Sequence, residues 1–110
     1  MDFRELEEKL VAFRDARGWG KYHTPKNLAV SAAVELGELL EHFQWESDWE
    51  ILEAVKDPAK KEAIADEIAD VVIYLTLLAH ELGIDLGEAV ERKLRKNERK
   101  YPGKSVKAGD

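Results

Sequence analysis

The chain has 110 residues and a formal net charge of −6 at pH 7; 45% of its residues are hydrophobic and 36% are charged. This length suits one domain, and the composition favours amphipathic helices over disorder. The acidic balance weighs against binding of nucleic acid, and the absence of cysteine excludes a disulfide framework and a zinc–thiolate site. Because no run of 18 apolar residues and no signal peptide is present, we expect a soluble, cytoplasmic protein without a membrane partner.

Helical periodicity and capping residues predict four helices, and no strand pattern is present. The predicted helices cover about residues 3–17, 25–44, 58–82 and 86–101, with a short helical turn near 49–55. Each of the four helices follows a capping residue, namely Asp2, Thr24, Asp57 and Asp85. We therefore expect an all-α, four-helix domain over residues 1–102 and a mobile tail over 103–110.

The third predicted helix is apolar around most of its circumference. At 100° per residue its apolar residues cover nearly every side: Ile64, Ile68, Val71, Val72, Ile73, Leu75, Leu77 and Leu78. Three partner helices in a small domain are too few to cover such a helix. We therefore expect a second subunit to cover part of it.

Two pairs of acidic residues lie on the apolar sides of the second and third predicted helices. Glu35 and Glu38 are three residues apart, as are Glu67 and Asp70, so each pair projects from one side of its helix. If these helices pack face to face, four carboxylates share one pocket. Desolvation of such anions costs on the order of several kcal/mol each, and a divalent cation relieves that cost at neutral pH. The all-oxygen ligand set favours Mg²⁺, with Mn²⁺ as a substitute.

Two other interpretations of these acids compete with a metal site. A single Glu-x-x-Glu pair in a charged helical protein is more often a solvated helix edge that pairs with lysine or arginine. Two pairs on separate helices bring the metal interpretation to about even standing with that one. A ferritin-like di-iron bundle also uses carboxylates, but it requires Glu-x-x-His, and none of the three histidines has a glutamate three residues before it.

Aromatic and basic residues elsewhere are candidates for binding a ligand. Rings in loops and at helix ends can hold a planar group, and the candidates are Trp19, Tyr22, His23, Trp45 and Tyr74. Ordinary packing is the simpler interpretation of each ring. On the fourth helix, Lys93, Asn97 and Tyr101 form one row that would present a cation and an amide to phosphate or sugar oxygens. A basic helix terminus that complements the helix dipole is the alternative.

Four sequence blocks resemble the MazG-like superfamily of all-α nucleoside triphosphate pyrophosphohydrolases, and within it the dCTP pyrophosphatase branch. In chain order they are RGWGKYHTPKNL, ELGELLEHFQW, EIADVVIYL and KLRKNERKYP. The resemblance spans roughly residues 5 to 102 and rests on all four blocks together, since the acid motif alone is only modestly specific. It implies a bundle that assembles as a homodimer or homotetramer. It also implies Mg²⁺-dependent conversion of a (deoxy)nucleoside triphosphate, dCTP-like favoured, to the monophosphate and pyrophosphate.

The same resemblance implies roles for individual residues. Magnesium would be bound by Glu35, Glu38, Glu67 and Asp70, and metal-bound water would attack the α-phosphorus. The implied substrate contacts are Trp19 and Trp45 at the base, Tyr74 in the nucleoside pocket, Lys93 and Asn97 at the triphosphate or sugar, Tyr101 closing the site, and Lys26 as a nearby basic residue. Some relatives have a further glutamate directly before the first acid pair as the general base. Here Val34 occupies that position, so the identity of the general base is open, and Glu38 is a candidate for that role.

Two alternative functions belong to other classes. A noncatalytic helical oligomerisation module would keep the acids as solvated pairs and show no metal dependence. A nucleotide-binding module would bind the nucleotide with Mg²⁺ but would never hydrolyse it.

Overall fold

The structure is a computed structural model that describes residues 1–103, and within that range it contains α-helices, a 3₁₀ turn and no strand. The helices are α1 (Phe3–Ala16), α2 (Pro25–Glu41), α3 (Asp48–Ala54), α4 (Pro58–Glu81) and α5 (Leu86–Lys100), and the 3₁₀ turn is Gly20–Tyr22. The predicted all-α class is confirmed. The predicted number of helices is wrong, because the short turn near 49–55 is a complete helix. Apart from Gly103, the tail predicted over 103–110 lies outside the described residues.

The helix boundaries lie within one residue of the predicted ones except at the end of α2, and hydrogen bonds at helix ends explain both that end and the start of α3. Helix α3 starts at a reciprocal capping box, in which Ser47 Oγ accepts from the Glu50 N–H at 3.2 Å and Glu50 accepts from the Ser47 N–H at 3.3 Å. Helix α2 ends at Glu41, because the next N–H, that of His42, donates to a carbonyl three residues back at 3.1 Å. Trp45 therefore lies in a turn rather than at the end of a helix.

The core of the domain is the packing of α2 against α4. Leu28 and Ala32 of α2 are 1% and 7% exposed, and Ile64 and Leu77 of α4 are 8% and 4% exposed. Leu28 and Ala32 are about one turn apart and share the side of α2 that packs against α4. The α2–α4 pair is therefore the frame that positions the predicted acidic residues.

Helices α1 and α5 are attached near the C-terminal end of α4. Glu7 of α1 contacts His80 of α4, with 2.6 Å between the carboxylate Oε1 and the ring Nδ1. Helix α4 ends in a Schellman turn, in which the Ile84 N–H donates to the Ala79 carbonyl at 2.8 Å across Gly83, whose φ is +66°. After this turn, α5 packs mainly against α1 and leaves most of its surface exposed.

A large apolar area of the α2–α4 pair is left uncovered by the rest of the chain. On α4, Ile68, Val72 and Leu75 are 49%, 38% and 45% exposed. The exposed apolar residues of α2 are Val30, Val34, Leu36 and Leu40. The Cα radius of gyration is 17.4 Å, whereas a compact domain of this length has about 13 Å. Within residues 1–103, no helix combines the length and the apolarity needed to cross a bilayer.

Candidate functional site

Three carboxylates meet where α2 faces α4. One oxygen from each of Glu35, Glu38 and Glu67 lies within 4.8 Å of the other two. Helix geometry accounts for this cluster, because Glu35 and Glu38 are about one turn apart on α2 and both face Glu67. The structure thus brings together three of the four acids predicted to bind the metal. We call these three residues the carboxylate cluster.

The electrostatics of the carboxylate cluster favour a bound cation. The pKa of Glu35 is raised to about 7, first by burial and then by the adjacent carboxylate of Glu38. Burial and the charge of Glu38 also raise the pKa of Glu67. The Oε2 atoms of Glu35 and Glu67 are buried and have no hydrogen-bond partner among residues 1–103. A divalent cation would satisfy both oxygens and offset the repulsion, so these residues fit a hard metal ion such as Mg²⁺.

Asp70, the fourth predicted ligand, lies at the edge of the carboxylate cluster. It is half-buried about one turn after Glu67 on α4. Its charge is one of the lesser causes, after burial and Glu38, that raise the pKa of Glu35 and of Glu67. Its oxygens are not among those that lie within 4.8 Å of one another. A direct bond from Asp70 to the metal therefore stays a prediction.

An aromatic cavity of about 80 Å³ lies between α1, the loop after it and α4. Trp19, His23 and Tyr74 line this cavity, so three predicted substrate-binding residues are brought together. The rings of His23 and Tyr74 meet edge to face with 6.5 Å between centroids, and Phe13 and Trp19 do so at 5.7 Å. Tyr74 is seven residues after Glu67, hence two turns along the same side of α4. The cavity is therefore about 10 Å from the carboxylate cluster along the helix axis.

Arg14 is a residue of the cavity wall that the sequence patterns do not indicate. Its side chain is only 8% exposed, pairs with Glu81 and donates to Asp15 at 3.2 Å. Burial, followed by the positive charge of Arg14, lowers the pKa of His23, so the imidazole is neutral at pH 7. Nδ1 of His23 is buried and has no hydrogen-bond partner in the described part of the chain, so this lining residue has a free hydrogen-bonding position. An arginine in the last turn of a helix ordinarily indicates only a favourable interaction with the helix dipole.

Trp45 and Lys26 lie outside the aromatic cavity. Trp45 is 84% exposed in the turns that follow α2. Lys26 is exposed in the first turn of α2. Neither residue lines the cavity, so the structure of a single chain does not bring them to the other rings.

The predicted row of Lys93, Asn97 and Tyr101 is separate from the carboxylate cluster. A shallow depression around Lys93 and Asn97 is lined by residues of α5 alone. Tyr101 caps the C-terminal end of that helix and is 66% exposed. No residue of α2 or α4 within the described chain lines this depression, so one copy of the chain does not join the row to the cluster.

Comparison with known proteins places this arrangement in a family. The model of the MazG-like family matches residues 30–108, a segment that contains the carboxylate cluster, Tyr74 and the whole of α5. The chain belongs to the MazG-like family. The membership predicted from four sequence blocks is therefore confirmed.

This MazG-like chain is similar to several proteins that are named as pyrophosphatases. It is 40% identical over 101 residues to dCTP pyrophosphatase 1 of Mus musculus and to that of Homo sapiens. These matches cover 92% of this chain but 58% of each relative, so the chain spans less than two thirds of their length. It is also 53% identical to a pyrophosphatase of Archaeoglobus fulgidus with a crystal structure; the match covers 91% of this chain and 92% of that one, with a TM-score of 0.82.

Proposed function

We propose that this MazG-like chain is a Mg²⁺-dependent nucleoside triphosphate pyrophosphohydrolase that acts on a (deoxy)nucleoside triphosphate, with dCTP-like substrates favoured. The reaction consumes water and yields the monophosphate and pyrophosphate, which would remove unwanted nucleotides from the cellular pool. The observation that carries the proposal is the carboxylate cluster, whose two unpartnered oxygens lie near an aromatic cavity. The names of the relatives, dCTP pyrophosphatase 1 and a pyrophosphatase, support the same reaction.

The carboxylate cluster, together with Asp70, would hold the magnesium ion. When bound, the ion supplies positive charge that acidifies water and neutralises phosphate oxygens. The acids themselves would otherwise repel a triphosphate, since like charges a few ångströms apart oppose its approach. Their first role is therefore to bind the cation, and their second is to align the α-phosphate beside it.

Glu38 is our candidate for orienting the attacking water and accepting its proton. It is the exposed member of the cluster, whereas Glu35 and Glu67 each have a buried oxygen. The water oxygen would bond to the α-phosphorus while the bond to the bridging oxygen breaks and pyrophosphate leaves. Val34 is 55% exposed and apolar, so the position that supplies a glutamate in some relatives offers no proton acceptor here.

The aromatic cavity would receive the base of the nucleotide. Trp19 and Tyr74 supply ring surfaces for a planar group. The neutral imidazole of His23 offers a hydrogen-bonding position that distinguishes polar edges of a base. Selectivity among bases would then depend on which edge of the base reaches this nitrogen.

A second copy of the chain would complete the site, in a homodimer or homotetramer. The exposed apolar residues of α2 and α4 and the large radius of gyration support such an assembly, because a lone chain would leave this surface in water. In the assembly, α5 of one copy would bring Lys93 and Asn97 to the triphosphate bound by another copy, and Tyr101 would close that site. Lys26 and the exposed ring of Trp45 would also reach substrate only in the assembly.

Release of pyrophosphate tests this function directly. We expect the full chain, incubated with each deoxynucleoside triphosphate and Mg²⁺, to release one pyrophosphate per monophosphate formed, and chelation of the metal to stop the reaction. Glu38→Gln should lower kcat by about a hundredfold, the usual size of a general-base contribution. Glu62→Gln, an exposed acid of α4 outside the cluster, is the matched control and should behave as wild type.

The alternative functions predict other results in the same assay. Binding of triphosphate and Mg²⁺ without release of pyrophosphate would indicate a nucleotide-binding module. If the wild-type chain neither binds nor hydrolyses any nucleotide, the proposed function is wrong, and a helical oligomerisation module is the better description.

A further inference from the structure

A lysine and a histidine meet at one end of the α2–α4 interface, where no function has yet been assigned. Nζ of Lys60, in the first turn of α4, lies 2.8 Å from Nδ1 of His42, directly after α2. Both side chains are half-buried. A lysine ammonium has only donors, so in this contact the imidazole nitrogen is the acceptor. His42 supplies a lone pair and no negative charge, so the contact does not offset the positive charge of Lys60.

No acidic side chain of residues 1–103 forms a direct ion pair with this lysine. Glu46 is close enough to be influenced by Lys60, but the carboxylate of Glu50 affects Glu46 more strongly and raises its pKa. A half-buried ammonium that contacts a nitrogen acceptor rather than a carboxylate is well suited to bind an anion, because charge-assisted hydrogen bonds are the strong ones.

Helix geometry places this cation in line with the other parts of the site. On α4, Lys60, Glu67 and Tyr74 follow one another at intervals of seven residues, so they share one side of the helix about 10 Å apart. On α2, His42 is seven residues after Glu35. The contacts of Glu35 with Glu67 and of His42 with Lys60 therefore repeat at one interval on two antiparallel helices. The aromatic cavity, the carboxylate cluster and the cation lie in that order along α4.

We propose that Lys60, held by His42, binds the terminal phosphates of the substrate. This inference rests on the proposed function. A nucleoside triphosphate has the same order of parts, namely a planar base, the α-phosphate at which hydrolysis occurs, and two further phosphates. With the base beside Tyr74 and the α-phosphate at the carboxylate cluster, the terminal phosphates point toward the start of α4.

The chemistry at the start of α4 suits the leaving group. The flexible four-carbon stem of Lys60 lets its ammonium reach phosphate oxygens, and that charge would stabilise the departing pyrophosphate. The helix terminus itself adds little, because Pro58 has no N–H and the Ala59 N–H donates to Asp57 Oδ1 at 3.1 Å, so the ammonium of Lys60 supplies the positive charge. His42 is a positioning residue, since it would act only by holding the ammonium in the interface.

The test compares two neighbouring lysines of α4 that differ in placement. Lys60→Met removes the charge, Lys60→Arg restores it, and Lys61→Met removes an exposed lysine as the matched control. For each full-length variant we would measure kcat/KM with dCTP and Mg²⁺, and inhibition by pyrophosphate and by dCMP. Circular dichroism and thermal unfolding would check the fold, and Lys60→Gln provides a second neutral variant if Lys60→Met is insoluble.

We expect Lys60→Met to lower kcat/KM for dCTP and to weaken inhibition by pyrophosphate, each about ten- to hundredfold, the loss typical of one hydrogen bond to a charged group. Inhibition by dCMP should be unchanged, because dCMP has no terminal phosphate, and Lys60→Arg should recover most of the activity. If Lys60 had a purely structural role, Lys60→Met would weaken inhibition by pyrophosphate and inhibition by dCMP equally. That result would overturn the inference. So would a Lys60→Met enzyme that matches Lys61→Met. If the wild-type chain binds no nucleotide, the proposed function and this inference both fail.

Discussion

Removal of one negative charge from the carboxylate cluster should stabilise the metal-free protein. The change is Glu35→Gln, which keeps the shape of the side chain and removes its charge. In the native chain the pKa of Glu35 is raised to about 7, first by burial and then by the neighbouring Glu38. A carboxylate whose pKa is raised on folding opposes the folded state once it ionises.

The sign and size of the effect follow from that pKa. Between the unfolded value of 4.5 and about 7, the folded chain holds a proton on Glu35 that the unfolded chain has lost. The stabilisation that this proton on Glu35 provides is therefore fully present below pH 4.5 and is lost as the pH rises through 7. The shift corresponds to roughly 3 kcal/mol at 1.36 kcal/mol per unit. Solvent near the exposed Glu38 screens the interaction, so we expect about 1–2 kcal/mol.

Thermal unfolding at fixed protein concentration measures this difference. Without metal at pH 8, Glu35→Gln should unfold about 5–10 °C above wild type, since about 1 kcal/mol shifts the Tm of a small domain by roughly 4–8 °C. Saturating Mg²⁺ should reverse the order, because a ligand at 100 times its Kd adds about 2.7 kcal/mol to the protein that binds it. Glu62→Gln is the control and should match wild type in both conditions.

Two results would refute this reasoning about Glu35. One is a metal-free Glu35→Gln protein that is no more stable than wild type at pH 8. The other is a metal-free wild-type protein whose stability does not fall between pH 5 and pH 8 by more than that of Glu35→Gln.

Three further predictions concern the cavity and the assembly. Trp19→Ala should lower kcat/KM for dCTP at least about fivefold in steady-state kinetics while leaving inhibition by pyrophosphate unchanged, because stacking of a base on a ring contributes about 1–3 kcal/mol. Arg14→Met should reduce the free energy of unfolding in urea by roughly 2 kcal/mol, since it leaves Glu81 unpaired, and a loss below about 0.5 kcal/mol would contradict the structural role of this ion pair. Co-expression of Lys93→Met with Glu38→Gln should give about a quarter of wild-type activity if each site is shared between two copies. About half of the dimers are then mixed, and each mixed dimer has one intact site of two. No recovery of activity would argue against a shared site.

The α-helices and the carboxylate cluster are predictable from the sequence because both depend on local periodicity. Spacing of three residues fixes that Glu35 and Glu38 share one side of α2, and the apolar stripe indicates that this side is buried. Capping residues such as Thr24 give the starts of the helices well, since the cap is a local hydrogen bond, here 3.2 Å to the N–H of Asn27. The helix starts and the pairing of Glu35 with Glu38 therefore follow from local patterns, whereas the meeting of that pair with Glu67 depends on how α2 packs on α4.

Other parts of the site depend on contacts between distant segments. Arg14 pairs with Glu81, 67 residues away, and no local pattern distinguishes this buried arginine from a surface one. The contact of His42 with Lys60 arises only from the register of α2 against α4, which periodicity does not define. The predicted end of α2 near residue 44 is wrong, because the N–H groups of His42 and Phe43 donate to carbonyls three residues back and so end the α-helix at Glu41.

The carboxylate cluster makes opposite demands on stability and on metal binding. The buried residues Leu28 and Ala32 precede the cluster on α2, and Ile64 precedes Glu67 on α4, so its repulsion acts on the best-packed part of the chain. The unpartnered oxygens that weaken this packing are the ones that fit a hard cation. A bound cation would therefore offset the repulsion that opposes the fold. A change that relieves it without a metal, as Glu35→Gln does, should stabilise the fold and weaken the site together.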